Sequence, residues 1–295
     1  MSRFSNKNIG ALNFMDMRRP GNKAIYWGIF ALLFLLALVC ILPPLWVMLS
    51  SFKTTKEIMN IPPILLPTSY DFSKFIDVWN LLHFEKFYIN TLLLAAGSVV
   101  SAILFNGIAG YVLSCLKPRG TAAIMTAVMW TMLLPNTLSM VPLFKNFVSF
   151  PIFGFNLTNT FWPMWICAGA NAFNILLFKD FFDGIPLSLT EAAQLDGCGR
   201  LGIFTRIILP LSKPILSVVA IFTVNGTWGD FLLPFLVLSD RSKYTVMIQI
   251  YNTKTTLPID QQLVSLIYAI IPPIIIFFFF QKSIMGGITL GGVKE

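Results

Sequence analysis

The chain has 295 residues, of which 56% are hydrophobic and only 12% charged, and its formal net charge is +8. A soluble domain carries about a quarter of charged residues and lacks repeated apolar runs near the ~20 residues that cross a bilayer, so composition excludes a soluble globule and implies an all-α polytopic membrane protein. The basic residues are scattered at the ends of the apolar runs, with no stripe and no interleaved aromatic platform, which excludes a nucleic-acid surface and leaves them a topological role.

Residues 1–25 are polar and carry Arg3, Lys7, Arg18, Arg19 and Lys23 against the single acid Asp16, a balance expected on the cytoplasmic side. The first span runs from about Tyr26 to Leu49, with Pro43-Pro44 expected to kink its outer end. It is too long for the core of a cleaved signal peptide and no small-residue cleavage site follows it. Ser50 to Lys86 is a long extramembrane stretch expected outside, and His83, without a cysteine, histidine or acid pair for company, reads as a solvated loop residue. The second span, about Phe87 to Leu113, sets Ser98, Ala102, Asn106 and Gly110 four apart, a small-residue stripe that lets another helix come close.

After a short basic turn, Lys117-Pro118-Arg119, the third span covers about Thr121 to Leu143 and holds Pro135-Asn136. The fourth, about Phe161 to Phe178, places Asn171 and Asn174 three apart on one helix face, where carboxamides must meet another helix or a watery path rather than lipid. The fifth, about Ile215 to Leu238, carries Asn225, Trp228 and Asp230, the last being the only acid inside any span. Such an acid serves either the translocation path or gate, or a structural pairing near the outer interface. The sixth span covers about Leu263 to Phe280. One six-span membrane domain, 26–281, followed by a cytoplasmic tail, 282–295, is therefore expected, with both termini inside and no separate catalytic domain. Lys and Arg favour the cytoplasmic side most sharply at the N-terminus and in the turn before span three.

Enzymatic chemistry finds no residues in this pattern. Cys40, Cys115, Cys167 and Cys198 are placed for neither a disulfide nor a metal, and there is no nucleophile with its base and no paired carboxylate. No Gly-x-x-x-x-Gly-Lys-Ser/Thr phosphate loop occurs, so ATP cannot be cradled in that way. No catalytic or metal-binding residue and no cofactor is assigned to this chain.

Between spans four and five lies a segment, about 183–213, that cannot cross a bilayer. Two short helices are expected in it: Leu187 to Leu195, begun by Pro186 and stopped at Gly197, and Arg200 to Ile208, stopped by Pro210. Ala192, Ala193 and Gly197 would let a second surface approach, and Glu191, Asp196, Arg200 and Arg206 would offer it charges. Glu191-Ala192-Ala193, three residues, Gly197, nine residues, then Ile207-x-Leu209-Pro210 resembles the loop that marks permease subunits of bacterial ATP-binding-cassette importers. Phe52-Lys53-Thr54, Glu57-Ile58, Asn90-Thr91, Ile185-Pro186, Trp228 to Phe231 and the glycine-rich run from Met285 to Lys294 are similar to the carbohydrate-importing, maltose/oligosaccharide type. Gly229 stands where that family usually has Asn, so no polar role is carried over to it.

The resemblance implies a binding-protein-dependent sugar importer in a bacterial inner membrane. In it, this chain forms a path with a second permease, in a heterodimer. Its coupling loop, with Glu191, Ala192, Ala193, Asp196, Gly197, Arg200, Ile207, Leu209 and Pro210, would dock on one of two cytoplasmic ATPase subunits that bind Mg-ATP. An extracellular solute-binding protein would deliver an oligosaccharide. In some relatives the glycine-rich tail reaches toward the paired ATPases. The other class to consider is an ion-coupled secondary carrier, for which neither inverted repeats nor an acidic cluster beyond Asp230 is present.

Overall fold

A computed structural model describes residues 20–151 and 154–290. Every regular element among the described residues is helical. The chain divides into two compact units, 1–71 and 72–295.

The first unit is built on α1, Pro20–Ser51, an apolar helix that runs through Pro43 and Pro44. Its side chains from Ile25 to Leu45 are open all round, as a lipid-facing span requires. The chain beyond it is ordered by two polar residues. Lys53 is almost fully buried, with its ammonium donating to the Ile64 carbonyl at 2.7 Å and lying 4.1 Å from the centre of the Trp46 ring. Glu57 closes a capping box with Thr54 at the start of α2, Thr55–Ile58, and its carboxylate also accepts from the Thr68 amide and hydroxyl. These bonds, the Thr68 hydroxyl first, hold the Glu57 pKa down to about 2. A depressed carboxylate stabilises the loop above its ordinary pKa, and the contribution disappears as pH falls through the folded value. Protection of the Thr68 amide against hydrogen exchange, corrected for intrinsic rate, is therefore expected to hold from neutral pH down to about pH 4 and to fade toward pH 2.

The second unit opens with α3, Ser73–Leu82, which turns at His83 (φ 53°) into α4, Phe84–Leu116. The side chain of His83 is exposed, 3.4 Å from Glu85. Two stretches of α4, Ala102–Asn106 and Val112–Leu116, are wound as π-helix. Its small-residue stripe is buried at all four positions, and the reason is contact at backbone distance. A Cβ on Gly110 would lie 2.6 Å from the Phe178 Cβ and 3.0 Å from the Lys179 amide nitrogen. Because backbone cannot step aside, Gly110→Ala is expected to cost about 1–3 kcal/mol, read as a lower unfolding temperature in detergent.

Of the six apolar segments, three are unbroken: Asn22–Ser51, Phe84–Leu116 and Ile259–Gln281. The other three are broken, where straight spans were expected. The third consists of α5, Thr121–Leu133, and α6, Asn136–Val148, bent by 109°. Pro135 has no N–H and pushes Leu134 into extended conformation (ψ 125°), which stops α5. The fourth is α7, Trp162–Gly169, then α8, Ala172–Asp183. The interspan loop follows as α9, Leu187–Leu195, and α10, Leu201–Leu211, and α10 meets α11, Lys213–Gly229, at a 71° bend. Beyond α11 the fifth segment breaks at Asp230 and resumes as α12, Leu232–Val237. The short α13, Val246–Thr253, precedes α14, Ile259–Leu290, whose backbone stays helical into the glycine-rich run. Gly291 to Lys294 lies outside the described residues, as does the basic N-terminal segment through Arg19.

Three apolar clusters hold this unit. One joins Ala102, Phe178, Phe182, Ala193, Ile203 and Ile208 beneath the interspan loop. A second packs Phe84, Phe87, Val246 and Val264 around Trp228, and a third gathers Leu94, Phe147, Met164, Leu233 and Ile248.

Candidate docking loop and the breaks in the spans

The interspan loop is a two-faced surface element. α9 follows Pro186 and ends in a tight reversal at Gly197, whose φ of +81° suits glycine. The Gly197 amide donates to the Gln194 carbonyl and the Cys198 amide to the Ala193 carbonyl, the paired bonds of a Schellman cap. A Cβ at Gly197 would meet nothing within 4 Å, so only backbone conformation is at stake. Gly197→Val is expected to destabilise the loop by about 1 kcal/mol or more, and Gly197→Asn by less. Faster trypsin cleavage after Arg206 in the first variant reads the difference.

The second helix departs from expectation at its end. It continues as a π turn, Phe204–Ile208, and then through Leu209–Leu211, so Pro210 does not stop it. Pro210 sits in the first turn of that last piece, where a missing N–H is tolerated. Ser212 closes the segment by donating its hydroxyl to the Ile208 carbonyl at 2.6 Å.

Burial divides the predicted residues into two sets. Glu191, Ala192, Asp196, Leu209 and Pro210 are exposed, with Gly197 at the turn. Ala193 is 6% exposed and belongs to the chain's own core with Ile203 and Ile208, and Ile207 packs against it. The close approach expected at Ala193 is thus made by its own chain. Glu191, Asp196 and Arg206 form no ion pair with any described residue; the side chain of Arg200 lies outside the described set. Sequence reasoning missed the two most exposed leucines of the loop, Leu195 at 90% and Leu201 at 77%. The signal was available: both fall off the spacing that carries Ala193, Ile203 and Ile208 inward.

At its root the loop is tied to the end of α4. The Ser114 hydroxyl donates to Asp183 at 2.6 Å, and Lys179 donates to the carboxylate's other oxygen. Tyr111 lies between Phe182, 6.0 Å away, and Phe204, 4.8 Å away.

The polar residues inside the spans sit at the breaks. Asn171 is not on a helix face with Asn174; its side chain caps α8 by accepting the Asn174 amide at 3.0 Å. Asn106 of α4, fully buried, serves both sides of this break, donating to the Ala168 carbonyl at 2.8 Å and accepting the Asn171 amide at 3.0 Å. Asn174 is buried, whereas Asn225 is exposed on α11. Asp230 follows α11 and accepts the Leu233 amide at 3.4 Å, serving the restart at α12. Trp228 faces inward: it is 3% exposed, donates its indole N–H to the Ala269 carbonyl at 3.0 Å and packs on Tyr88. The structure therefore brings Asn171 and Asn174 together, with Asn106 as an unexpected third member, and leaves Trp228 in a packing role.

No family model matches the chain. It is 28% identical over 284 residues to the polygalacturonan/rhamnogalacturonan transport system permease protein YtcP of Bacillus subtilis (strain 168), covering 90% of this chain and 96% of that one. It is 29% identical over 267 residues to the diacetylchitobiose uptake system permease protein NgcG of Streptomyces coelicolor (strain ATCC BAA-471 / A3(2) / M145), covering 88% and 86%. A solved chain of a bacterial ABC transporter involved in the import of the acidic polysaccharide alginate superposes with a TM-score of 0.75 at 25% identity, over 90% of this chain and 98% of that one. Along nearly its whole length the chain is thus similar to permease subunits of bacterial ATP-binding-cassette carbohydrate importers. The spaced loop lies where the fold isolates a surface element between broken spans, with one face anchored and the other open.

Proposed function

We propose that the permease forms, with a second and different permease, the membrane path for an oligosaccharide in a bacterial inner membrane, and that its interspan loop seats on a cytoplasmic ATPase subunit. The observation that carries the docking is the open face of the loop: exposed Leu195 and Leu201 set among Glu191, Asp196 and Arg206, on helices whose other face is fixed in the core. Apolar residues at this exposure, ringed by charge, have the make-up of a protein contact. Mg-ATP binds and is hydrolysed in two such partner subunits. Their closure draws the paired loops together and tilts the attached spans toward an outward-open state. Solute arrives from an extracellular binding protein, and hydrolysis resets the path, so ATP drives alternating access by binding the two states differently. The positive bias of the N-terminal segment supports cytoplasmic termini. The carbohydrates handled by the two relatives support an oligosaccharide as solute. An ion-coupled carrier is not favoured, since Asp230, at the break in the fifth segment, is engaged with the α12 backbone.

The test is to isolate the tagged chain from its native membrane in mild detergent and identify its companions by mass spectrometry. A second permease with an ATPase is the expected result. Recovery of the chain alone, or only with itself, across several detergents would overturn the proposal.

A further inference from the structure

The end of α4 touches both sides of the interspan loop. Ser114, in the π-helical last turn, is 4% exposed and bonded to Asp183, the final residue of α8 and three residues before Pro186. One turn earlier, Tyr111 contacts Phe182 on the entry side of the loop and Phe204 within its second helix. Just before it, Gly110 brings the α4 backbone against Phe178 and Lys179. A short hydrogen bond to a carboxylate is directional and is stronger than a neutral one, whereas aromatic contacts alone could slide. A π turn is a common device for re-aiming side chains at functional positions.

We propose that Ser114 and Asp183 are positioning residues that keep the end of the second span fixed to the interspan loop throughout the transport cycle, so that displacement of the loop reaches that span directly. The proposal rests on the reading that the loop docks on an ATPase. It also predicts idle behaviour: with the link intact, the resting permease holds the ATPases apart, and cutting it releases them.

The experiment uses the whole detergent-isolated assembly, in a background with Cys40, Cys115, Cys167 and Cys198 replaced, carrying Ser114→Cys with Asp183→Cys. Reduced, this variant lacks the hydrogen bond; a one-methylene bis-thiosulfonate reagent restores the link covalently. ATP hydrolysis without solute is expected to rise about fivefold in the reduced form, the lower end of typical coupling, and to return to within about twofold of the parent after crosslinking. Crosslinking that arrests hydrolysis would show that the contact opens during the cycle, and equal rates in parent, reduced and crosslinked forms would show that it carries nothing; either overturns the proposal. If the double variant does not assemble, Ser114→Ala and Ser114→Thr decide: the first should raise idle hydrolysis and the second, which keeps the hydroxyl, should not. Absence of an ATPase from the unsubstituted assembly would instead count against docking itself, so the two failures are distinguishable.

Discussion

Ala193→Arg is expected to abolish solute uptake while leaving membrane insertion intact. Ala193, 6% exposed, lies on the inner face of α9 in an apolar cluster with Phe178, Phe182, Ile203 and Ile208, surroundings that do not suit a guanidinium. Burying an unpaired charge there costs about 3 kcal/mol or more, while extruding it peels α9 from its seat. The open face behaves differently. Ala192→Arg adds its bulk to a surface that is free in this chain, so the permease's own stability should change by less than about 0.5 kcal/mol, yet capture of the ATPase should fail. Thermal unfolding in detergent and ATPase co-purification, measured on both variants, separate the two faces of the loop. Loss of stability in both, or in neither, would contradict this division.

Asn106→Leu should have the second largest effect. Its carboxamide is matched to the two backbone groups freed where α7 stops and α8 begins, the Ala168 carbonyl and the Asn171 amide. Leucine supplies neither partner, and the two part-buried hydrogen bonds lost are worth about 0.5–1.5 kcal/mol each. The expected result is a large fall in unfolding temperature together with loss of uptake. Leu104→Ala serves as the comparison: that side chain is on the same helix but half exposed, and the change should cost about 0.5 kcal/mol or less.

The same residues show what could be learned from sequence. Pro186 and Gly197 bound α9 by rules that act within one turn, and its predicted limits match the structure. The small-residue stripe on α4 was equally legible, because four-residue spacing on an unbroken helix leaves a single face. Asn171 and Asn174 misled for the opposite reason: their spacing implies a shared face only if the helix continues, and i to i+3 is equally the spacing of a cap to the amide it accepts. Which interpretation holds depends on Asn106, 65 residues away in the chain. Burial of Ala193 is likewise a tertiary fact, since alanine suits either face of a short helix. Trp228 was read through its neighbours Asn225 and Asp230, whereas its partners come from Tyr88 and Ala269, distant in sequence.

The central claim is that the open face of the interspan loop is a seat for an ATPase subunit, and photo-crosslinking from that face tests it most directly. A photoreactive amino acid is placed at Leu195 or Leu201 and, for comparison, at Ile61 in the loop after the first span, where the side chain is 91% exposed. Irradiation of intact membranes is expected to join the ATPase to the chain labelled at Leu195 or Leu201 and not to the chain labelled at Ile61. An adduct with the ATPase from Ile61 alone, or from none of the three positions in membranes that contain it, would contradict the assignment.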